Sequence, residues 1–436
     1  MIERAVYTHI QKIEDPTLRN IADKLAHLIL DNWFYALVLL LLWRFPYIVA
    51  DLSDTEVTPR RPTGDSVFWQ SVMAQALLIA CLSMSYNLLF GFSGVISFGH
   101  ALFFGAGGYI TFLMMREYDG AYQIRALIVL CFITLCLALF VRVPIRRLLI
   151  FLIGGIVLIL LLMPNNDKLS FYQAVGLSVI GSIILSLISG TVTLRLRGVY
   201  FAMFTLALAE MFYVLAKSGT FREITGAEDG LVIRDLIPES LNPTQTFEGH
   251  RLMMYRITVI FFVIVFLAIR RYLNSPIGRI MLAIRENEVR ARTIGYNTFY
   301  YKLITMIFAG VIASLSGVLF VLWGTAKRVD PSLLSLTYTV DPLLYTLIGG
   351  VGTITGPIIA ALGLVLGETY LRDEVISIGS KTYPIAEVWD LFLGILFVLV
   401  VMLLPNGIVG TWNKWRAEQR IRKMERDLQR SKDRVA

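Results

Sequence analysis

Long apolar runs, separated by short polar stretches, constrain the fold of this chain more than any other feature of its sequence. A helix needs about 20 apolar residues to cross the ~30 Å hydrocarbon core of a bilayer, and charges inside that core are costly. Twelve segments meet or nearly meet this requirement: 33–50, 67–90, 100–115, 124–142, 148–163, 170–193, 198–215, 254–270, 302–324, 335–349, 356–370 and 389–404. The pattern predicts an all-α polytopic integral membrane protein with about 10–12 transmembrane or re-entrant helices.

The composition agrees with a membrane protein. Hydrophobic residues make up 56% of the chain and charged residues 17%, whereas soluble domains are about 45–50% apolar. The net charge of +8 could suggest nucleic acid, but the basic residues concentrate in short loops and in the C-terminal tail, as they do in membrane proteins. We therefore expect no nucleic-acid partner, and the sequence offers no catalytic residue, metal site or cofactor motif.

The distribution of Lys and Arg predicts the orientation and the domain boundaries. With twelve crossings, the basic loops and both termini fall on the cytoplasmic side. Residues 1–32 form an amphipathic N-terminal segment along the membrane, and residues 33–410 form the transmembrane domain. This domain includes an extracytoplasmic loop at 216–252 and a cytoplasmic region at 271–301. Residues 411–436 form a basic cytoplasmic tail that suits an anionic lipid surface.

Six glycines interrupt the apolar stretch 86–109. Such a break is tolerated at membrane depth only where protein or a water-filled cavity satisfies the backbone, as in a translocation path. Close packing of helices through small residues is the alternative. The candidates for a path in this stretch are Asn87, Gly94, Ser97, Gly99 and His100.

A second glycine-rich stretch, 349–357, lies between two apolar segments. It is not a phosphate-binding P-loop, because no Lys-Ser/Thr pair follows it. A tight cytoplasmic turn or a broken helix is expected instead, and Gly349 and Gly350 join the path candidates. Two carboxylates in apolar segments, Glu210 and Asp341, complete the set, since an intramembrane carboxylate is a functional hypothesis by default. Bonding of either carboxylate to Ser or Thr, or a place at a helix N-terminus for Asp341, is the structural alternative.

The stretch 274–297 predicts a short, well-capped helix between two membrane segments. Ser275 can cap it with Pro276 at its first position, and Gly295 suits its end. Glu286 with Arg290 and Glu288 with Arg292 form i,i+4 pairs, which leaves Ile280, Ile284, Val289 and Ile294 for an apolar contact. Such an element is suited to docking on a soluble partner, or it is a solvated loop helix. Its candidate residues are Ser275, Pro276, Gly278, Arg279, Arg285, Glu286, Glu288 and Gly295.

Six sequence blocks occur together and in order: SGVISFGHALFFGAGGY, RLRGVYFAMFTLALAE, TGAEDGL, SPIGRIMLAIRENEVRARTIGYN, LIGGVGTITGP and LLPNGIVG. Over about residues 75–410 they resemble the inner-membrane permease of the branched-chain amino-acid ABC importers. That family also includes urea and short-amide permeases. Residues 1–65 are poorly matched, and 124–163 is an additional hydrophobic hairpin.

The resemblance implies an ABC importer permease fold in the inner membrane. It also implies a second homologous permease, two ATP-binding subunits and an extracytoplasmic substrate-binding protein as partners. The stretch Ser275 to Gly295 matches the coupling helix that contacts an ATPase. The expected function is inward movement of branched-chain or similar small neutral amino acids, with ATP hydrolysed by the partners. A urea or short-amide permease, an ion-coupled secondary carrier and a purely structural subunit remain as alternatives.

Overall fold

The computed structural model describes residues 37–57, 64–116, 153, 170–238, 241–242, 250–324, 327–371, 375–378 and 381–433. The predicted N-terminal segment 1–32 and the predicted segment 124–142 lie outside these residues, as does all but residue 153 of the segment 148–163. The chain divides into two compact units, Met1–Gln70 and Ser71–Ala436.

The first unit contains helix α1, residues 37–52, and the start of helix α2, Asp65–Ser93. Side chains near the start of α2 fix the preceding turn, since Ser66 Oγ donates to the carbonyl of Glu56 at 2.8 Å and Gln70 Nε2 donates to that of Val57 at 3.0 Å. Asp65 lies in the first helical turn, where a negative charge is favourable.

The second unit consists mainly of helices. In chain order these are α3 His100–Met115, α4 Phe171–Thr193, α5 Val199–Lys217, α6 Arg222–Thr225, α7 His250–Asn274, α8 Pro276–Glu286, α9 Glu288–Thr293, α10 Thr298–Trp323, α11 Thr337–Gly349, α12 Gly356–Leu371, α13 Ile385–Leu403 and α14 Gly407–Asp433. Single 3₁₀ turns occupy Gly219–Phe221, Ala227–Asp229 and Pro331–Leu334.

Ten of the twelve predicted apolar segments coincide with helices of the described chain. Six helical stretches there are long and apolar enough to cross a membrane: Asp65–Ser93, Phe171–Thr193, Val199–Lys217, His250–Asn274, Thr298–Trp323 and Leu391–Gln419. His100–Met115 and Gly356–Leu371 are shorter apolar helices. These observations confirm the prediction of a polytopic, mostly helical membrane protein.

The centre of the second unit is a three-helix contact in which α10 packs on α3 and α4, and α3 packs on α4. Two glycines allow α3 and α10 to approach closely. A Cβ atom on Gly107 would overlap the backbone of Ser314, and one on Gly317 would overlap the backbone of Phe104. Small residues at helix crossings permit such backbone proximity in membranes. Part of the glycine-rich stretch 86–109 therefore serves helix packing.

Four short strands form two antiparallel pairs. Strand β1, Leu231–Val232, pairs with β2, Arg328–Val329, and β3, Val375–Ile378, pairs with β4, Lys381–Pro384. The first pair joins the predicted loop 216–252 to the segment after α10. Leu231 and Ile233 are buried there, so the described part of this loop is folded onto the transmembrane domain.

Candidate functional site

The stretch between α7 and α10 is a compact unit, here called the α8–α9 element (residues 275–297). Its N-terminus follows the predicted chemistry. Ser275 Oγ accepts a hydrogen bond from the amide of Gly278 at 3.3 Å, and Pro276 occupies the first helical position. Gly278 is required by space, because a Cβ atom there would lie 2.6 Å from Leu273 Cα. The predicted cap is confirmed.

The predicted single helix is in fact two helices. Asn287 adopts an extended conformation with φ −155°, and its Oδ1 accepts from the amide of Arg290 at 2.9 Å, which caps α9. The prediction of an ion pair between Glu286 and Arg290 is wrong, because these residues lie on either side of the break and no ion pair joins them. An Asn side chain competes with the helical backbone for hydrogen bonds and therefore favours such a cap over a helix interior.

Glu288 fastens α9 to the start of α10. Its carboxylate lies 2.6 Å from Arg292 Nη2 and 2.9 Å from Lys302 Nζ, and it accepts from Thr298 Oγ1 at 3.0 Å. The predicted pair with Arg292 is therefore confirmed. Burial of the carboxyl group by itself raises its pKa, but the hydrogen bonds and positive charges outweigh burial, so the pKa of Glu288 lies below its usual value.

Gly295 ends α9 as predicted. Its φ is +102°, a left-handed conformation that glycine adopts without steric cost. The amide of Tyr296 donates to the carbonyl of Ala291, and the amide of Gly295 donates to that of Arg292. These two bonds form a Schellman motif, a common helix C-terminus.

The apolar residues of the α8–α9 element point in two directions. Ile284 is buried with Met281 and Ala291, and Ile280 packs against this cluster. In contrast, Val289 and Ile294 are 73% and 69% exposed. The predicted four-residue apolar face is therefore divided. One pair holds the element together and the other pair remains exposed.

Two glycine turns meet the end of α8 at what is here called the glycine junction (Asn87, Gly91, Gly94, Arg285 and Gly352). Asn87 Nδ2 donates to the carbonyl of Thr353 at 2.7 Å, and its Oδ1 accepts from the amide of Gly352 at 3.1 Å. A Cβ atom on Gly94 would lie 3.4 Å from Arg285 Cγ, and one on Gly352 would lie 2.6 Å from Arg285 Nη1. Two path candidates and one candidate of the α8–α9 element are thus neighbours.

Gly349 and Gly350 lie at the end of α11, next to this junction. Residues 350–355 form a turn between α11 and α12, as predicted. Gly350 has φ +124° and no room for a side chain, because a Cβ atom would lie 3.0 Å from the carbonyl oxygen of Asn406. The start of α14 therefore packs against this turn.

Ser97, Gly99 and His100 form a separate buried group at the break between α2 and α3. His100 Nε2 and Ser85 Oγ are 2.7 Å apart, and the amide of Ala101 donates to Thr339 Oγ1 at 2.8 Å. A Cβ atom on Gly99 would lie 2.8 Å from the carbonyl oxygen of Thr205. The interruption of the helix that the glycines predict is present between residues 93 and 100. Neighbouring protein atoms pack against this non-helical segment.

The two candidate carboxylates lie elsewhere. Glu210 is on the exposed side of α5 and makes no hydrogen bond or ion pair with any described residue. Asp341 is the fifth residue of α11, directly before Pro342, and is half-buried. It lies one turn inside the helix, because α11 already begins at Thr337. The path candidates therefore lie in separate places: at or beside the glycine junction, at the break between α2 and α3, on the exposed side of α5, and inside α11.

Sequence reasoning missed two neighbouring basic residues outside these places, the buried Lys327 and the half-buried Arg251. Lys327 Nζ donates to the carbonyl of Leu322 at 2.7 Å, and Arg251 lies with its guanidinium carbon 5.4 Å from the Trp323 ring centroid. Burial, and then the charge of Arg251, lower the pKa of Lys327 to about 8. The only sequence signal was that both residues border apolar segments, and this does not indicate that they lie together.

Comparison with known proteins decides the family. The family model described as "Branched-chain amino acid transport system / permease component" matches residues 69–401. The chain belongs to this family. The resemblance inferred from the sequence blocks is thereby confirmed.

Several curated proteins are similar to this branched-chain amino acid permease family member. The high-affinity branched-chain amino acid transport system permease protein LivM of Salmonella typhimurium is 26% identical over 359 residues, which cover 78% of this chain and 69% of that protein. LivM of Escherichia coli (strain K12), with the same description, is 25% identical over 373 residues, 79% of this chain and 72% of that protein.

The probable branched-chain amino acid transport permease protein LivM of Methanocaldococcus jannaschii is 29% identical over 153 residues, 34% of this chain and 43% of that protein. No solved structure matches the chain. Family membership and the six long apolar helices together establish a multi-pass inner-membrane protein of the permease class.

Proposed function

We propose that this chain is the membrane-spanning subunit of an ATP-driven importer for branched-chain or similar small neutral amino acids. The energy comes from separate ATP-binding subunits. A second homologous permease completes the path, and an extracytoplasmic binding protein delivers the substrate. The substrate assignment is supported by the family and by the names of the relatives, which are branched-chain amino acid transport permeases.

The observation that carries the proposal is the construction of the α8–α9 element. Two caps, a Schellman motif and the Glu288 hydrogen bonds fix its shape, yet it leaves Val289 and Ile294 exposed. Exposed apolar side chains on a rigid polar scaffold are typical of a protein-binding surface. We infer that this surface docks in a groove of an ATP-binding subunit and that residues 275–297 are cytoplasmic.

This assignment implies an orientation for the described part of the second unit. Gly94, Arg285 and Gly352 lie together at one end of the transmembrane domain. At the other end, Arg116 donates to the carbonyl of Glu223 and β1 pairs with β2. If the α8–α9 element is cytoplasmic, the folded loop after α5 faces the opposite side, where a binding protein would dock. We propose that both termini are cytoplasmic, in agreement with the Lys/Arg bias.

The test is purification of the tagged chain from its native membrane in mild detergent, with mass spectrometry and an ATPase assay of the eluate. The expected result is recovery of ATP-binding subunits and a second permease, with ATPase activity. Recovery of the chain alone, with transport that requires only an ion gradient, would replace the proposal with a secondary carrier. Uptake of radiolabelled leucine, with urea and acetamide as competitors, then tests the substrate class.

A further inference from the structure

The glycine junction is built around the side chain of Arg285, the penultimate residue of α8. On one side, the stem of this side chain lies against the turn that follows α2, and a Cβ atom on Gly94 would be only 3.4 Å from Arg285 Cγ. On the other side, the guanidinium lies against the turn between α11 and α12, at Gly352. The side chain, which is exposed overall, therefore lies between the two turns at the positions where each has a glycine.

Both turns depend on glycine. Gly94 has φ +71° and Gly352 has φ +76°, a left-handed region that residues with a Cβ atom adopt only at a steric cost. At Gly352 a Cβ atom would also meet Arg285 Nη1 at 2.6 Å and the carbonyl oxygen of Gly91 at 3.2 Å. A side chain at residue 352 would thus displace the guanidinium or separate the two turns.

The two turns are also joined to each other. Asn87, one turn before Gly91 on α2, exchanges hydrogen bonds with residues 352 and 353 through both atoms of its amide group. A Cβ atom on Gly91 would lie 2.6 Å from the amide nitrogen of Gly352. The end of α2 and the turn after α11 therefore move as one unit unless these contacts break.

The side chain of Arg285 is exposed and contacts the protein at Gly94 and Gly352. Its guanidinium makes no hydrogen bond or ion pair with any described residue, although it carries five donors. Its backbone, in contrast, is fixed in the α8–α9 element by the neighbouring Ile284, which is buried. Displacement of α8 would therefore move Arg285. The Arg285 side chain would then press against one glycine turn or lose its contact with the other.

We propose that Arg285 is the positioning residue through which movement of the α8–α9 element reaches the ends of α2 and α11. In this role it acts in the coupling of ATP hydrolysis to transport rather than in the docking of the ATP-binding subunit, to which Val289 and Ile294 contribute. This inference rests on the proposed function. It assigns a separate task to a residue inside the same element.

The experiment uses the complete importer, co-expressed and reconstituted in proteoliposomes with its binding protein. Three quantities are measured: ATP-binding subunits recovered per permease, ATP hydrolysed, and radiolabelled leucine transported. The variants are Arg285→Ala, Gly352→Ala and the double variant. The controls are Arg271→Ala, an exposed arginine near the end of α7, and Gly363→Ala on α12, where a Cβ atom meets nothing within 4 Å.

We expect Arg285→Ala to keep the ATP-binding subunits and ATP hydrolysis within about twofold, while leucine transported per ATP falls by about 5- to 150-fold, the usual range of coupling between sites. Gly352→Ala should act in the same direction, although it also crowds the carbonyl oxygen of Gly91. The double variant should lose less than the product of the two single effects, because both changes disturb the contact between Arg285 and Gly352. Arg285→Met, which keeps the stem against Gly94, should recover part of the loss.

Four results would overturn the inference. Loss of the ATP-binding subunits from Arg285→Ala would make Arg285 a docking residue, and an unchanged ratio of transport to hydrolysis would make it a space-filling residue. Independent, multiplying effects of the two substitutions would exclude a shared contact. Failure of the unsubstituted chain to retain any ATP-binding subunit would overturn the proposed function itself, and the inference with it.

Discussion

Replacing the two exposed apolar residues of the α8–α9 element, Val289→Ser with Ile294→Ser, tests the proposed docking surface most directly. Full burial of a Val or Ile side chain is worth about 1.5–3 kcal/mol. Since these side chains are 73% and 69% exposed, about 1–2 kcal/mol each remains to be gained on docking. Losing both contributions should weaken binding of the ATP-binding subunit by roughly 30- to 700-fold.

The assay is the dissociation constant of the purified ATP-binding subunit for the permease in nanodiscs. Serine and valine differ little in helix propensity, so α9 itself should persist, and thermal unfolding of the permease should not change. Val232→Ser is the matched control, because Val232 is 58% exposed but belongs to β1 at the other end of the transmembrane domain. A change of less than about threefold in the dissociation constant would be below 1 kcal/mol and would refute the assignment.

Three further substitutions test other parts of the structure. Gly107→Ala should destabilise the α3–α10 crossing by about 1–3 kcal/mol, as overpacking does, and lower the melting temperature in detergent, whereas Gly363→Ala should not. Glu288→Gln should increase hydrogen exchange of α9 at neutral pH. Because folding lowers the pKa of Glu288, its contribution is complete above the usual value of 4.5 and is lost as pH falls through the lowered value, so the unsubstituted protein should approach the variant only in acid. Glu210→Gln should change substrate preference if this carboxylate lines the path; equal loss of folded protein and uptake would indicate a structural role.

Much of the fold could be predicted because the bilayer leaves few solutions for a backbone. The segment 100–115 is a helix with those bounds, and the 170–193 and 356–370 segments differ from the observed helices by one residue. Capping chemistry is similarly local, so Ser275 and Gly295 could be assigned from neighbouring residues alone. The break at Asn287 was missed, although Asn is itself a good N-cap, because the ion pairs favoured one continuous helix.

The arrangement of the candidate site could be predicted only in part. Charge bias predicted that residue 285 is cytoplasmic, and the stretch 349–357 was expected to be a cytoplasmic turn or a broken helix. Gly94 was predicted only as part of a path, so nothing in the sequence joined it to the other two. Gly94 is a path candidate, and Gly352 lies two residues after the candidate Gly350. Only the structure shows that Arg285 lies between Gly94 and Gly352. The role of Gly107 in helix packing likewise became apparent only from its contact with Ser314.

By itself, the sequence determined the membrane class, most of the helices, the two ends of the α8–α9 element at Ser275 and Gly295, and the family, because each depends on the solvent or on residues close along the chain. The tertiary structure decided which apolar residues of that element are buried and which stay exposed. It also brought Arg285 and Gly352 close to the end of α2, where Asn87 lies, although 265 positions separate Asn87 from Gly352 in the sequence. Such contacts arise from helix packing, which depends on the shapes of distant surfaces and leaves no periodic signal in the sequence.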